Sequence, residues 1–266
     1  MGTIDTYYKG DNMENNKIIG DVNLIDSKVK FIGNNNILYI DGKVNLENTS
    51  IEFRGDNSLI YICETDDKLP LDIKIYNNST VYIGKNMWIN KGIKIVVSEE
   101  TNVFFGEDCL VSYDTCIRTA DPHLLYDAKT KKRINEAKSV YIGDHVWIGQ
   151  HVFFLKGTQI GSGTVIGALS NLTGKTYKSN CSYGGNPARI LKKDVFFLKP
   201  DSHRFTKKEK EEYSEYDNDK YIYNKDNNTI SFDEIENNLN NKNIEERISY
   251  LKEITNNTNK NRFYIS

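Results

Sequence analysis

The feature that most constrains this chain is an apolar residue at every sixth position. From residue 142 the sequence runs IGDHVW IGQHVF FLKGTQ IGSGTV IGALSN LTGKTY. The six leading residues are Ile142, Ile148, Phe154, Ile160, Ile166 and Leu172, and glycine follows each of the four isoleucines. Six residues turn an α-helix through about 600°, so a helix cannot place these side chains on one face. The period therefore argues against helices in this stretch.

A six-residue period fits a solenoid of short strands. Each hexad then forms one strand and one turn on a side of a triangular prism, with its leading side chain inside. Three hexads close a coil, and stacked coils bury the core that one coil cannot bury alone. The same period recurs earlier in the chain, at Ile83, Ile89 and Ile95, then at Phe105, Val111 and Ile117, and faintly from Ile19 before it blurs through 38–70. The alternative is an ordinary all-β sandwich with alternating strands.

The period stops between Ile117 and Ile142, which predicts a loop at residues 118–139 extruded from the prism. Loops on a rigid scaffold are common places for catalytic groups. This loop begins RTADPHLLYD, and His123 supplies an imidazole, the side chain best suited to accept a proton near neutral pH. Pro122 stiffens the backbone, and Asp121 lies close enough in sequence to orient or polarise the ring. His123 and Asp121 are therefore candidate catalytic residues.

Charge and hydropathy exclude some classes of protein. With 35 basic and 37 acidic residues, the net charge of −2 gives no indication of a nucleic-acid partner. No apolar run approaches the roughly 18 residues of a membrane span. The opening MGTIDTYYKGDN lacks the apolar core of a signal peptide, so we expect a cytoplasmic protein.

Three segments are expected along the 266 residues. They are an N-terminal segment at 1–14, a β-helix domain at 15–195 that carries the loop, and a polar, mostly helical tail at 196–266. In the tail, SFDE at 231–234 looks like a capping box, and apolar residues follow from Ile235 to Ile254 at mostly helical spacing. We expect this helical part to pack on a neighbour. Residues 206–228 could equally be disordered.

Longer motifs connect the repeat to a known family. The stretch IRTADPHLLYDAKTKKRINEAKSVYIGDHVWIGQHVFFLKGTQIG, followed by GGNPARILK, resembles the capsular polysialic acid O-acetyltransferases of the hexapeptide-repeat acyltransferase superfamily. The shared features are the D-x-H loop, the RIN segment and the HVW coil. The resemblance is strong over about 105–195, weak over 30–105 and absent from about 200.

The resemblance implies a fold, a reaction and an assembly. The fold is a left-handed parallel β-helix, a hand opposite to the usual right-handed crossover. The donor is acetyl-CoA, the acceptor is a glycan and no metal takes part. The loop histidine, here His123, is the general base. Members of the family form homotrimers with each active site between two prisms.

The same resemblance assigns the remaining site residues. Trp147 matches a residue that lines the active site near the thioester. At the Gly149–Gln150 turn, the backbone N–H of Gln150 matches the group that faces the developing oxyanion. Four further positions match contacts with CoA: Ala168 with the pantetheine arm, Thr173 with the adenosine end, and Arg189 and Lys192 with the phosphates. Leu169 and Asn171 depart from the family's small and aliphatic residues, so the expected donor groove differs in shape.

Two other functions remain open. Gamma-class carbonic anhydrases use the same prism and bind zinc through three histidines. Here His145 and His151 occupy the fourth position of successive hexads, so they point about 120° apart and cannot easily share an ion. The other alternative is a non-catalytic β-helix that only binds a glycan or a partner. A binding assay with acetyl-CoA separates it from an enzyme.

The acceptor is the least determined part. The resemblance suggests sialic acid on a bacterial surface glycan, such as capsule or lipooligosaccharide; a non-sialylated exopolysaccharide or a nucleotide sugar stays open. A sialoside carries a carboxylate, so its site should offer cations. The loop region supplies Arg118, Lys129, Lys131, Lys132 and Arg133. A run of charges can equally be a solvated surface.

Overall fold

The repeat forms a parallel β-helix in the computed structural model, which describes residues 5–8 and 15–266. About seven coils stack along one axis, and their strands form three sheets. The predicted N-terminal segment at 1–14 lies outside the described residues, apart from the strand Asp5–Tyr8. The prediction of a β-helix is confirmed, and the sandwich alternative is wrong.

The three sheets, here called A, B and C, are the faces of the prism. Sheet A contains Asp5–Tyr8, Lys28–Phe31, Ser50–Phe53, Leu71–Ile75, Ile93–Val97, Thr115–Arg118, Phe153–Phe154 and Asn171–Leu172. Sheet B contains Lys17–Ile25, Ile37–Glu47, Leu59–Cys63, Lys68–Leu69, Thr80–Ile83, Asn102–Phe105, Val140–Ile142, Gln159–Ile160 and Thr176–Tyr177. Sheet C contains Trp88–Ile89, Leu110–Val111, Trp147–Ile148, Val165–Ile166, Cys181–Gly184 and Arg189–Lys193. The last of these strands is antiparallel to its neighbour, and the other pairings are parallel.

The leading residues of the hexads face the inside of the prism, as the period predicts. Each of the six leading residues from 142 to 172 is at most 1% exposed, and together with the earlier leading residues from Ile83 to Ile117 they form one continuous apolar core. The faint period expected from Ile19 does not start at an inward position, because Ile19 is 37% exposed. Stacked pairs such as Ile142 on Ile160 repeat every 18 residues. The six-residue period is therefore the period of the core.

The N-terminal coils are longer than the repeat predicts, which explains why the period blurs there. Ile73 pairs with Ile95 and Ile95 with Ile117, so these coils contain 22 residues. The four extra residues fall between the inward side chain of sheet A and that of sheet B. They lengthen the strands on both sides of that corner, as in Ile93–Val97 and Asn102–Phe105. The prism is consequently wider at this end.

The corners of these wide coils use asparagine. Several asparagines adopt the left-handed conformation with φ between 53° and 56°, namely Asn35, Asn48, Asn57, Asn78 and Asn86. Asparagine tolerates this conformation better than most residues because its short side chain can hydrogen-bond locally. The Asn-rich composition of the N-terminal half thus follows from its sharp turns.

The tail contains a 3-10 helix, Ser202–Arg204, and three α-helices: α1 at Lys207–Glu212, α2 at Phe232–Leu239 and α3 at Ile244–Asn256. At the start of α2 the Ser231 hydroxyl accepts a hydrogen bond from the Glu234 N–H at 3.1 Å, which is the serine half of the capping box predicted from SFDE. Complete capping boxes begin α1 and α3 instead. Within the described part of the chain, no helix is both long and apolar enough to cross a membrane.

Helices α2 and α3 pack on their own prism, so the expectation of packing on a neighbour is wrong. The outer face of sheet B carries a column of aromatic rings, formed by Tyr39, Tyr61, Tyr82, Phe104 and Tyr141. Phe232 of α2 stacks on Tyr141 with ring centroids 5.2 Å apart. Leu251 and Ile254 of α3 are buried in the same cluster. An apolar outer face must be covered, and the tail covers this one.

A buried ion pair fixes the end of the tail to the prism. Arg262 is 1% exposed, and its Nε and Nη2 donate to the two carboxylate oxygens of Asp144 at 2.8 and 3.0 Å. Burial alone would lower the pKa of Arg262, but the adjacent Asp144 charge outweighs it and the pKa is raised. Removing one partner of such a pair typically costs about 3–5 kcal/mol. The tail is therefore a tightly held part of the fold.

Candidate active site

The extruded loop is an ordered hairpin at the corner between sheets A and B. It occupies residues 119–139, between Thr115–Arg118 of sheet A and Val140–Ile142 of sheet B. Tyr126 and Arg133 form an antiparallel bridge, and the Ile134 N–H donates to the Leu125 carbonyl at 2.9 Å. The tip is a turn in which the Asp127 carboxylate accepts the N–H groups of residues 129 and 130. The insertion lies at the corner where the wide coils also carry their extra residues.

His123 lies on the first leg of this hairpin with an exposed side chain. Its backbone carbonyl accepts a hydrogen bond from Asn135 Nδ2 at 2.7 Å. Within residues 15–266, its ring makes no hydrogen bond or ion pair. A free imidazole on a fixed backbone can accept a proton from a bound molecule.

Asp121 does not contact the ring of His123 in the described part of the chain. Its Oδ2 accepts hydrogen bonds from Lys156 Nζ at 2.6 Å and from Asn135 Nδ2 at 3.1 Å. The Lys156 hydrogen bond, with a smaller contribution from Asn135, lowers the pKa of Asp121. The carboxylate is thus an ionised support of the loop, and the expectation that it orients the His123 ring does not match this geometry.

The turn at Gly149–Gln150 lies at a different corner, between sheets C and A. The Gly149 N–H donates to the Ile166 carbonyl at 2.8 Å, and the Gln150 carbonyl accepts the Leu169 N–H at 2.9 Å. A Cβ on Gly149 would lie 2.6 Å from the Ala168 nitrogen, so only glycine permits this close stacking. Among the described residues, the Gln150 N–H has no acceptor. A backbone N–H without a partner is a potential hydrogen-bond donor to a bound oxygen.

Trp147 lies on the outer face of sheet C, next to this corner, and is 42% exposed. The ring of Phe197, from the start of the tail, lies 5.7 Å from it. Lys192 lies in the same column, because it pairs with Ser182, Ser182 with Val165 and Val165 with Trp147. Three strand spacings place their backbones about 14 Å apart. Arg189 is exposed on the same edge strand as Lys192.

The structure therefore brings some predicted residues together and separates others. One group lies on sheet C and its corner with sheet A, and comprises Trp147, Gly149, Gln150, Ala168, Arg189 and Lys192. His123 and Asp121 lie at the corner of sheets A and B. Thr173 also follows sheet A at that corner, and its Oγ1 is buried without a partner among the described residues. Within one chain, sheet A separates the loop from the predicted donor-binding residues other than Thr173.

The two departures from the family pattern lie at and beside the corner between sheets C and A, where donor binding is predicted. Leu169 has φ of 58° and is 69% exposed. Asn171 donates from Nδ2 to Asn186 Oδ1 at 3.3 Å, while its own Oδ1 is buried without a partner in residues 15–266. The surface at this corner is therefore bulkier and more polar than the family pattern implies.

His145 and His151 lie at different corners of the prism. His145 is 1% exposed; its Nδ1 contacts Asp108 Oδ2 at 2.6 Å and its Nε2 contacts the Phe197 carbonyl at 3.0 Å. The rings of Phe197 and Tyr221 stack on its two faces. His151 is exposed beside Asp114. His145 thus attaches the tail beside Trp147, a role that the sequence did not indicate.

Asn135 and Lys156 were also missed. Asn135 is 5% exposed inside the hairpin, and Lys156 reaches the hairpin from the next coil. Asn135 belongs to the RIN segment on which the family resemblance rests. That motif was the available signal for its importance.

Comparison with known proteins agrees with this architecture. The family described as bacterial transferase hexapeptide (six repeats) matches residues 139–174. The polysialic acid O-acetyltransferase of Escherichia coli O1:K1 / APEC is 38% identical over 136 residues, which cover 51% of this chain and 44% of that protein. The polysialic acid O-acetyltransferase of Neisseria meningitidis is 29% identical over 131 residues, covering 49% of this chain and 60% of that protein.

Similarity to a solved structure extends further along the chain. The crystal structure of the polySia-specific acetyltransferase NeuO superposes with a TM-score of 0.67 at 33% identity, covering 80% of this chain and 97% of that one. The matches to the two curated relatives, by contrast, span about half the length of each. The predicted fold class, a left-handed parallel β-helix with an extruded loop and a helical tail, is confirmed.

Proposed function

Because the chain belongs to the hexapeptide-repeat acetyltransferases, we propose that it transfers acetyl from acetyl-CoA to a hydroxyl of a bacterial surface glycan. The observation that carries the proposal is the free imidazole of His123, held outward on an ordered hairpin. Reaction with acetyl-CoA would take place in the cytoplasm, where this donor is made.

In the proposed reaction, an unprotonated ring nitrogen of His123 removes the proton of the acceptor hydroxyl. The hydroxyl oxygen attacks the thioester carbonyl, and the resulting oxyanion is stabilised by the unpartnered N–H of Gln150. Collapse of the tetrahedral intermediate breaks the carbon–sulfur bond. CoA leaves as a thiolate and takes a proton from the imidazolium of His123, which restores the base.

Direct transfer is favoured over an acyl-cysteine intermediate. Covalent catalysis needs a thiolate or a thiol beside a base. Burial raises the pKa of Cys63 to about 11 and also raises the pKa values of Cys109 and Cys116. These three thiols are therefore poor nucleophiles near neutral pH, and the fourth, Cys181, is buried.

The donor would lie along sheet C and its corner with sheet A. The column from Trp147 to Lys192 has the scale of an extended pantetheine arm, with its thioester end beside Trp147 and Gln150. Ala168 would flank the arm. Arg189 and Lys192 are exposed cations on the last strand and would pair with the CoA phosphates. Thr173 would contact the adenosine end only if the donor reached the far side of sheet A.

The distance between the His123 hairpin and the Gln150 corner within one chain supports a homotrimer. His123 and Gln150 lie at opposite edges of sheet A in one chain, so one prism does not place the base beside the oxyanion donor. A neighbouring prism can supply the missing edge. We therefore propose that each active site combines the hairpin of one subunit with the donor corner of the next.

For the acceptor we propose a sialoside. Two relatives are named polysialic acid O-acetyltransferases, and the hairpin tip exposes Lys129, Lys131 and Lys132, which suit a carboxylate-bearing sugar. Arg133 is less available, because it pairs with Glu99 at 2.8 Å. A non-sialylated exopolysaccharide or a nucleotide sugar is the alternative acceptor.

The test is to incubate the protein with acetyl-CoA and separate acceptors, and to follow release of the free CoA thiol. The panel contains polysialic acid, sialyl oligosaccharides, neutral exopolysaccharides and nucleotide sugars. We expect acceptor-dependent thiol release with the sialosides and an O-acetyl group on the product by mass spectrometry. Turnover only on neutral glycans would reject the sialoside. Binding of glycan without turnover on any acceptor would favour a non-catalytic scaffold.

A further inference from the structure

We propose that Asn135 is a positioning residue for His123, and that Lys156 completes this positioning from the adjacent coil. The inference rests on the proposed function, because it assigns roles within the same site. It replaces direct orientation of the His123 ring by Asp121 with control of the backbone that carries the ring.

The side chain of Asn135 uses both its donor and its acceptor group inside the hairpin. Nδ2 donates to Asp121 Oδ2 at 3.1 Å and to the His123 carbonyl at 2.7 Å. Oδ1 accepts the Leu125 N–H at 2.9 Å and Arg133 Nε at 3.3 Å. A side chain that is 5% exposed thus holds the backbone on both sides of residue 124. One amide therefore holds the peptide group that follows His123 and the peptide group after that.

Lys156 joins this amide to the prism. Its Nζ donates to Asp121 Oδ2 at 2.6 Å and to the Asn135 carbonyl at 2.9 Å, so it ties the two legs of the hairpin together. Its side chain is 21% exposed, which limits its freedom. On the other side, Arg133 pairs with Glu99 of the preceding wide coil. The hairpin is therefore braced from the coils above and below it.

Asp121 acts through the same contacts. Both of its hydrogen-bond donors, Lys156 and Asn135, also bind elsewhere on the hairpin, and Pro122 separates it from His123 by one stiff residue. The arrangement holds the loop backbone while the ring of His123 stays free to accept a proton. A misplacement of about 1 Å in a catalytic group can reduce the rate roughly 100-fold.

The test is Asn135→Asp. This substitution keeps the side-chain shape and the oxygen that accepts hydrogen bonds, but removes the NH₂ group that donates them. It also places a second carboxylate against Asp121. We expect kcat to fall about 10- to 100-fold, while KM for acetyl-CoA stays within about twofold, because the donor residues lie at another corner. The matched control is Asn36→Asp. Asn36 is fully buried in a wide coil and also donates to a carbonyl and accepts an N–H.

Loss of kcat in Asn135→Asp but not in Asn36→Asp, at equal melting temperatures, supports positioning. An Asn135→Asp enzyme with unchanged kcat overturns it, and so does an equal loss of kcat in both variants, which would show a general cost of a buried carboxylate. If Asn135→Asp does not fold, Lys156→Met decides, because it keeps the aliphatic stem: we expect a loss of about tenfold in kcat, and unchanged kcat rejects the proposal. His123→Ala is measured alongside. Turnover by a folded His123→Ala protein would reject His123 as the base, and with it the positioning role, whereas no turnover by the wild type on any acceptor would reject the proposed function. Inactive His123→Ala with fully active Asn135→Asp would reject only the positioning role.

Discussion

The two edges of sheet A are built by different means. At the edge shared with sheet B, the hairpin of His123 is held by side chains, chiefly Asn135 and Lys156. At the edge shared with sheet C, the Gln150 turn is held by backbone hydrogen bonds and by close contact at Gly149. The proposed base, His123, is thus positioned by hydrogen bonds from side chains. The N–H of Gln150, which would stabilise the oxyanion, is positioned by the backbone of the coil. Substitutions should consequently act on different steps at the two edges.

The largest effect is expected at the hairpin edge, from His123→Ala. Loss of a general base should reduce kcat about 10²- to 10⁴-fold, while the fold is retained because the side chain is exposed. The measurement is steady-state thiol release together with circular dichroism. His203→Ala is the matched control, since His203 is an exposed histidine of the tail. Retained turnover in a folded His123→Ala protein would reject the mechanism.

The next prediction tests whether the two edges of one site come from two subunits. His123→Ala removes the base. Ala168→Trp places a large side chain at an exposed position on the corner between sheets C and A, where it should block binding of acetyl-CoA. Each variant alone should be inactive. Random co-assembly in equal amounts should restore about a quarter of the wild-type activity, because a quarter of the shared sites contain two intact edges.

Co-expression with two different affinity tags provides the mixed assemblies, and light scattering gives their size. Sites contained within one chain would give no recovery above the sum of the separate variants. An active monomer would reject the trimer directly.

The two edges also differ in how far the sequence predicted them. The six-residue spacing from Ile142 to Leu172 predicted the core directly, because the first residue of each hexad points into the prism. The hairpin was predicted because an insertion interrupts that period. The contacts that hold the hairpin were not predicted. Asn135 and Asp121 come together only when the loop folds, and the loop has no sequence repeat that would indicate this contact. Spacing in sequence suggested a partnership of Asp121 with His123, whereas the carboxylate binds Lys156, 35 residues away.

Other misses share a physical cause. The wide coils hid their period because four extra residues at one corner break a six-residue count. The tail was expected on a neighbour because its helices are amphipathic, and the sequence does not say where their apolar faces pack. These apolar faces pack on the column of aromatic rings on sheet B. In the wide coils, the aromatic residues of this column recur every 21 or 22 residues. That longer period is visible only once the coil length is known.

At the donor edge, the double substitution Arg189→Ala and Lys192→Ala should act on binding. Charge-assisted contacts with phosphate are worth about 1.5–3 kcal/mol each, so loss of both should raise KM for acetyl-CoA about 100-fold or more. Both side chains are exposed, which leaves the fold intact. The acceptor KM should stay within about twofold. Initial-rate kinetics with each substrate varied in turn measures both, and an unchanged donor KM would place the phosphates elsewhere.

The smallest effect is expected at the hairpin tip, where charge bears on the acceptor. Charge reversal of Lys129, Lys131 and Lys132 to Glu should raise KM for polysialic acid about fivefold, since exposed ion pairs contribute roughly 0.2–1 kcal/mol each. Arg133 is left unchanged because its pair with Glu99 braces the loop. The matched control reverses three exposed tail residues, Lys207, Lys208 and Lys210 in α1, and changes the net charge equally.

Salt provides an independent measurement on the same variants. Exposed charges are screened over about 10 Å at 0.1 M salt, so added salt should raise the polysialic acid KM of the wild type and of the tail control. The hairpin variant should respond less, because the attraction is already lost. KM for a neutral glycan should not change in any of the three proteins. Equal turnover of sialosides and neutral glycans, without a salt effect, would contradict the sialoside assignment and favour a general exopolysaccharide acceptor.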